Sequence, residues 1–98
     1  MIKLLKPCQI ELTKSAEKDL AKVPLYIKEK LLLWVDSVEH MGISNIRTIP
    51  GYHDEPLKEE RYGQRSIRLN KAYRAIYIEN DTKDLLIVSI IEVNKHEY

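Results

Sequence analysis

The residues best suited to chemistry fall in two stretches. The chain ends Asn94-Lys95-His96-Glu97-Tyr98, and residues 61–74 carry Arg61, Arg65, Arg68, Lys71 and Arg74 with no acidic residue among them. Guanidinium forks match the oxygens of a phosphate. An imidazole, with an ordinary pKa of about 6.5, can take or give a proton near neutral pH. Together these groups suit transesterification of an RNA phosphodiester. The RNA brings its own nucleophile, the 2′-hydroxyl, so a protein need supply only a base, an acid and a stabiliser of the phosphate oxygens. On that basis His96 is the acid–base group, Tyr98 donates or orients a proton, and Arg68 and Arg74 stabilise the growing charge. Lys58, Arg61, Arg65, Lys71 and Lys95 hold the RNA backbone. Spacing alone leaves a plainer account open: His96 is a surface residue in a polar tail, and the Lys and Arg side chains protect a sheet edge from aggregation. His53, in Gly51-Tyr52-His53-Asp54-Glu55, reads as a loop surface residue rather than a catalyst.

The surrounding pattern says what must position these groups. Gln9 to Leu12 alternates polar and apolar, as a short strand does. Thr13 can cap a helix running from about Lys14 to Lys22, with Ala16, Leu20 and Val23 on one side. Pro24 opens a longer helix that Gly42 ends. Ile27, Leu31, Trp34, Val35 and Val38 share its apolar face, so Trp34 is expected in the core, and His40 lies at the negative end of the helix dipole. Residues 43–63 read as a connector with one helical turn inside 43–49 and an ordered loop beyond it. A meander follows: strands at Ser66–Leu69, Tyr73–Ile78 and Leu85–Val93, with turns at Asn70-Lys71-Ala72 and at 80–83. Side chains alternate along a strand. Ile67 and Leu69 therefore face the helices, while Ser66, Arg68 and Asn70 face the open side, where Arg74 joins them. The predicted fold is a single α+β domain over residues 1–98: a twisted, mainly antiparallel sheet of about four strands, with an N-terminal helical hairpin packed on one face.

The totals narrow the class. With 44% hydrophobic and 32% charged residues, the chain of 98 residues is too apolar for disorder and suits one modest core. Net charge is +1, so any nucleic-acid footprint must come from local clustering of charge. Cys8 is the single cysteine and cannot form an internal disulfide, which fits a reducing compartment. No stretch is apolar and long enough to span a bilayer, and Met1–Pro7 lacks the pattern of a signal peptide. The expected location is the cytoplasm, with no membrane partner. There is no glycine-rich phosphate loop, no His/Cys metal set and no nucleophile elbow, so neither a metal nor a cofactor is expected.

Three segments carry a resemblance. Pro50-Gly51-Tyr52-His53-Asp54-Glu55-Pro56-Leu57-Lys58, then residues 63–77 with their core Ser66-Ile67-Arg68-Leu69-Asn70-Lys71-Ala72-Tyr73-Arg74-Ala75-Ile76-Tyr77, then Ile91-Glu92-Val93-Asn94-Lys95-His96-Glu97-Tyr98, resemble the HigB-like branch of the RelE/ParE toxin superfamily. The resemblance spans nearly the whole chain, from Ile10 to the end. It implies a RelE-like fold and a toxin of a type II toxin–antitoxin system that cuts mRNA in the ribosomal A site without metal, inhibiting translation. The implied partners are the ribosome, mRNA and a cognate antitoxin, commonly a helix-turn-helix protein through which alone the operator DNA is bound. Family roles carry over to Arg74 as the phosphate-stabilising arginine, Arg68 as an RNA contact, His96 as the C-terminal acid–base group, Tyr98 as the aromatic of the tail and Lys58 as the basic loop residue. Where the family often has Gly after the Leu-Lys pair, Glu59 and Glu60 stand here, placing negative charge beside the implied RNA path. The alternative on the same scaffold is a ParE-like toxin that inhibits DNA gyrase and cuts nothing.

Overall fold

The alternating segment near the N-terminus forms β1 (Cys8–Leu12), the first element of the computed structural model, which describes residues 7–95. Thr13 follows in an extended conformation, and its hydroxyl accepts from the Ala16 amide at 3.1 Å, capping α1 (Lys14–Leu20). α1 stops at Leu20, two residues short of the expected Lys22. α2 (Leu25–Met41) starts after Pro24, whose missing N–H costs a helix nothing at that position. It ends at Gly42, where φ is +83°, a backbone region that side chains with a Cβ rarely enter. A single turn, α3 (Ile43–Ile46), buries Ile43 and Ile46, as the apolar spacing of that segment requires.

The second half is sheet. β2 (Glu55–Pro56) is only two residues long, β3 is Gln64–Arg68, β4 is Tyr73–Asp81 and β5 is Leu86–Lys95. Their order is β1-β5-β4-β3-β2, with β1 parallel to β5 and the other pairs antiparallel. The described residues thus hold five strands where about four were expected. The additional strand is β2, too short to show any periodicity of its own. The two helices expected ahead of the sheet are present; α1 packs mainly on β5 and β1, and α2 on β1 and α3.

The core lies between α2 and one face of the sheet. Ile27, Leu31, Trp34 and Val38 from α2 meet Ile67, Ala75, Tyr77, Val88 and Ile90, all essentially inaccessible to solvent. Trp34 is a core residue, as expected; its ring centroid is 5.2 Å from that of Tyr77 at an interplanar angle of 47°. The register of β4 against β5 slips at Ile76/Tyr77, where one strand carries an extra residue. One helix-to-strand contact supports the bulged end of β5: the Val93 amide donates to the Asp19 carboxylate of α1 at 3.1 Å.

Candidate active site

Alternation sends Ser66 and Arg68 of β3 to the face away from the helices, and Arg74 and Ile76 of β4 to the same face. Arg68 stands directly opposite Arg74 in the ladder. Two like charges in facing positions repel, so an anion placed between the guanidiniums would be favoured there. The turn that aligns them is built by Asn70. Its side-chain oxygen accepts from the amides of Ala72 and Tyr73, both at 2.7 Å, while the Leu69 amide donates to the Tyr73 carbonyl. Asn94, opposite Arg74 on β5, accepts weakly from its Nε at 3.4 Å and orients the guanidinium across the face.

A cavity opens around this pair. From β3 and its turn it takes Ser66, Arg68, Asn70 and Lys71, from β4 Tyr73 and Arg74, and from the preceding loop His53 and Glu55. Glu55 belongs there because β2 pairs it with Ser66, which puts both on one face. The His53 Nε2 lies 3.5 Å from a Glu55 carboxylate oxygen. His53 holds φ at +47°, the left-handed region that costs a non-glycine residue energy and is entered only where the surroundings impose it. Cationic groups to grip a phosphate and an imidazole–carboxylate pair to move protons therefore share one open cavity.

Comparison with known proteins places the fold. No family model and no curated protein matches the chain. Solved structures do. A YoeB/ParE toxin from Agrobacterium tumefaciens superposes with a TM-score of 0.68 at 18% identity, over 91% of this chain and 99% of that one. The RelBE2 toxin–antitoxin complex of Mycobacterium tuberculosis gives 0.58 at 26% identity, over 92% and 99%. The DinJ–YafQ toxin–antitoxin complex of E. coli gives 0.64 at 21%, over 94% of each chain. The chain has the fold of the RelE/ParE toxin superfamily. On this RelE/ParE scaffold the cavity occupies the open face of the sheet, away from α2.

The residues expected to act there divide into groups. Arg68, Arg74 and Lys71 are brought together. Arg65 is not. It sits opposite Tyr77 on the helix-facing side, where its Nε donates to Asp54 at 2.7 Å. Burial works against the charged guanidinium, but the hydrogen bond and charge of Asp54 outweigh it, so its pKa is raised. Its assignment to the RNA path is corrected: one step of alternation from Ser66 puts it through the sheet. Arg61 lies over the open face but is engaged, 2.9 Å from Glu92 and donating to Gln64 at 2.9 Å. Lys58 is exposed ahead of a 3-10 turn and does not line the cavity. Lys95 is exposed at the end of β5 opposite Tyr73, one step out of phase with Asn94. His96 and Tyr98 lie outside the described residues.

Three cavity residues were missed from sequence: His53, set aside as surface, and Glu55 and Tyr73, given no role at the site. No local period gave a signal for His53 or Glu55, since Tyr52 ends a 3-10 turn, His53 is left-handed and the strand begins only at Glu55; in the structure Tyr52 is buried, with the Lys30 ammonium 5.0 Å from its ring, and the Asp54 side chain is 1% exposed.

Proposed function

We propose that this chain is the toxin of a type II toxin–antitoxin pair, acting in the cytoplasm as a ribosome-dependent endoribonuclease on mRNA in the A site, and silenced by a cognate antitoxin. Placement in the HigB-like branch rests on the sequence resemblance. The observation that supports the nuclease best is the facing pair Arg68 and Arg74 with His53 and Glu55 beside it in one cavity. The solved structures of similar fold include two described as toxin–antitoxin complexes, which supports the antitoxin partner.

The chemistry follows from those groups. A phosphodiester between the two guanidiniums has its non-bridging oxygens neutralised. Glu55, or His53 in its neutral form, takes the proton of the 2′-hydroxyl, whose oxygen attacks phosphorus. The bond to the 5′-oxygen breaks, that oxygen is protonated by an acid, and the products are a 2′,3′-cyclic phosphate and a free 5′-hydroxyl. His96, with Tyr98, is the expected acid. No metal enters this scheme.

Ribosomes programmed with mRNA provide the test. The wild-type chain should cut in the A site, and Arg74→Ala should cut about 10²- to 10³-fold more slowly, the usual loss when one stabiliser of transition-state charge is removed. His96→Ala should be similarly impaired. Intact mRNA with the wild-type chain, together with poisoning of gyrase in a supercoiling assay, would replace this function with the gyrase-directed one.

A further inference from the structure

The loop that supplies His53 and Glu55 is fastened from below. Asp54, between them in sequence, points through to the helix-facing side of the sheet, and its carboxylate is almost fully enclosed. One oxygen accepts from Arg65 Nε at 2.7 Å, and the other accepts from the Tyr77 hydroxyl at 2.5 Å. Arg65 and Tyr77 are a directly facing pair of β3 and β4, so Asp54 closes on a rung of the ladder and not on a mobile surface group. Arg47, which follows α3, lies behind them: its Nη2 donates to the Tyr77 hydroxyl at 3.3 Å and is ion-paired with Glu79. Tyr77 itself is wedged against Trp34 in the core.

This clamp is costly. It buries a carboxylate and partly buries two guanidiniums, which a small core tolerates only with every charge paired. What it secures is the segment 53–55, where His53 stays in a left-handed conformation. Among the described residues, His53 and Glu55 are held only by the bond from the His53 amide to the Pro50 carbonyl at 3.0 Å, by their own contact and by the short β2 ladder. Their aim across the cavity therefore depends on the residue between them.

We propose that Asp54, closed on Arg65 and Tyr77 beneath the sheet, is the positioning residue that aims His53 and Glu55 at the phosphate held by Arg68 and Arg74. The proposal rests on the nuclease function given above. Asp54 touches no substrate; it acts through its two neighbours. Loss of the clamp should then leave RNA affinity with the arginines while the chemical step slows.

The test uses Tyr77→Phe, which removes one hydroxyl from the clamp and keeps the ring in the core, with Asp54→Asn as a second variant that keeps the shape of the side chain. Single-turnover cleavage on programmed ribosomes should fall at least 10-fold at saturation, with the half-saturating concentration changed less than twofold. In a chain already carrying His53→Ala and Glu55→Gln, Tyr77→Phe should cause no further loss, because there is nothing left to aim. A folded Tyr77→Phe chain that cuts at the wild-type rate overturns the proposal, as does an equal loss in the two backgrounds. A second readout separates this from failure of the nuclease function itself. The His53 ring signals in the NMR spectrum of the free protein should move in Tyr77→Phe and stay put in Thr13→Ala. Unmoved His53 signals overturn the clamp even if the wild-type chain proves to cut no RNA.

Discussion

Arg68 and Arg74 set the terms at the residue scale. Each would be more comfortable alone, since facing like charges in a sheet cost roughly 0.2–1 kcal/mol, and the pair is retained where an anion repays that cost. Below the same sheet the opposite arrangement holds, with Arg47 and Arg65 each ion-paired to a carboxylate. There Tyr77 gives a pH signature. Burial, reinforced by the hydrogen bond and charge of Asp54 and only partly offset by Arg47, pushes its phenol pKa well up. A raised pKa in the folded state means that the neutral phenol contributes stability in full below its ordinary pKa near 10. That contribution is lost as pH rises from there toward the folded value. Between the two, unfolding releases one proton, so stability should fall by about 1.4 kcal/mol per pH unit from this group. Chemical denaturation at pH 9 and pH 11 should show a steeper decline in the wild-type chain than in Tyr77→Phe. Parallel declines would mean that the phenol ionises as freely in the fold as out of it.

At the scale of elements, the hairpin of β3 and β4 does most to build the site, because its register decides which side chains oppose each other. Asn70 locks that hairpin through two short bonds to backbone amides. Thr13 makes a comparable local bond at the start of α1, distant in the fold from the cavity. Replacing either by alanine should cost about 1 kcal/mol of stability, measured as a shift in urea midpoint. Only Asn70→Ala should also slow RNA cleavage, by several-fold or more, through a loosened Arg68–Arg74 pairing. Equal activity in the two variants would show that the turn contributes stability alone. Much of this scale was legible in advance. The strands from Ser66, Tyr73 and Leu85, the turn at Asn70 and the helix broken at Gly42 all follow from local chemistry, a period of two or a residue suited to a turn. β2 was not legible, since two residues carry no period, and Glu55 entered the site with it.

For the whole molecule, the proposed function raises the question of how many of its cations would meet RNA. The sequence alone nominated seven basic residues, Lys58, Arg61, Arg65, Arg68, Lys71, Arg74 and Lys95. In the fold Arg65 is spent on Asp54 and Arg61 on Glu92, and three, Arg68, Lys71 and Arg74, share the cavity. Each phosphate neutralised on single-stranded RNA contributes about −0.7 to the slope of log affinity against log salt. Binding of a short RNA to the free protein, followed by fluorescence anisotropy across salt concentrations, should therefore give a slope near −2. A slope near −5 would mean that the whole basic set engages and that the ion pairs of Arg61 and Arg65 open on binding.

What the sequence by itself determined was the orientation of each side chain relative to its neighbours in the chain. Arg68 and Arg74 point outward and Trp34 inward because helix and strand periods are local properties of the backbone. Arg65 was not among them: the strand legible in the sequence began at Ser66 and left Arg65 on the RNA path, and only the start of β3 at Gln64 turns it inward. Only the tertiary structure decided which distant segments meet. That β1 lies parallel beside β5, that a two-residue strand delivers His53 and Glu55 to the arginines, and that Asp54 closes on a rung of β3 and β4 are all contacts between residues far apart in sequence. Such pairings are selected by the burial and charge balance of the whole fold, and no local pattern records them.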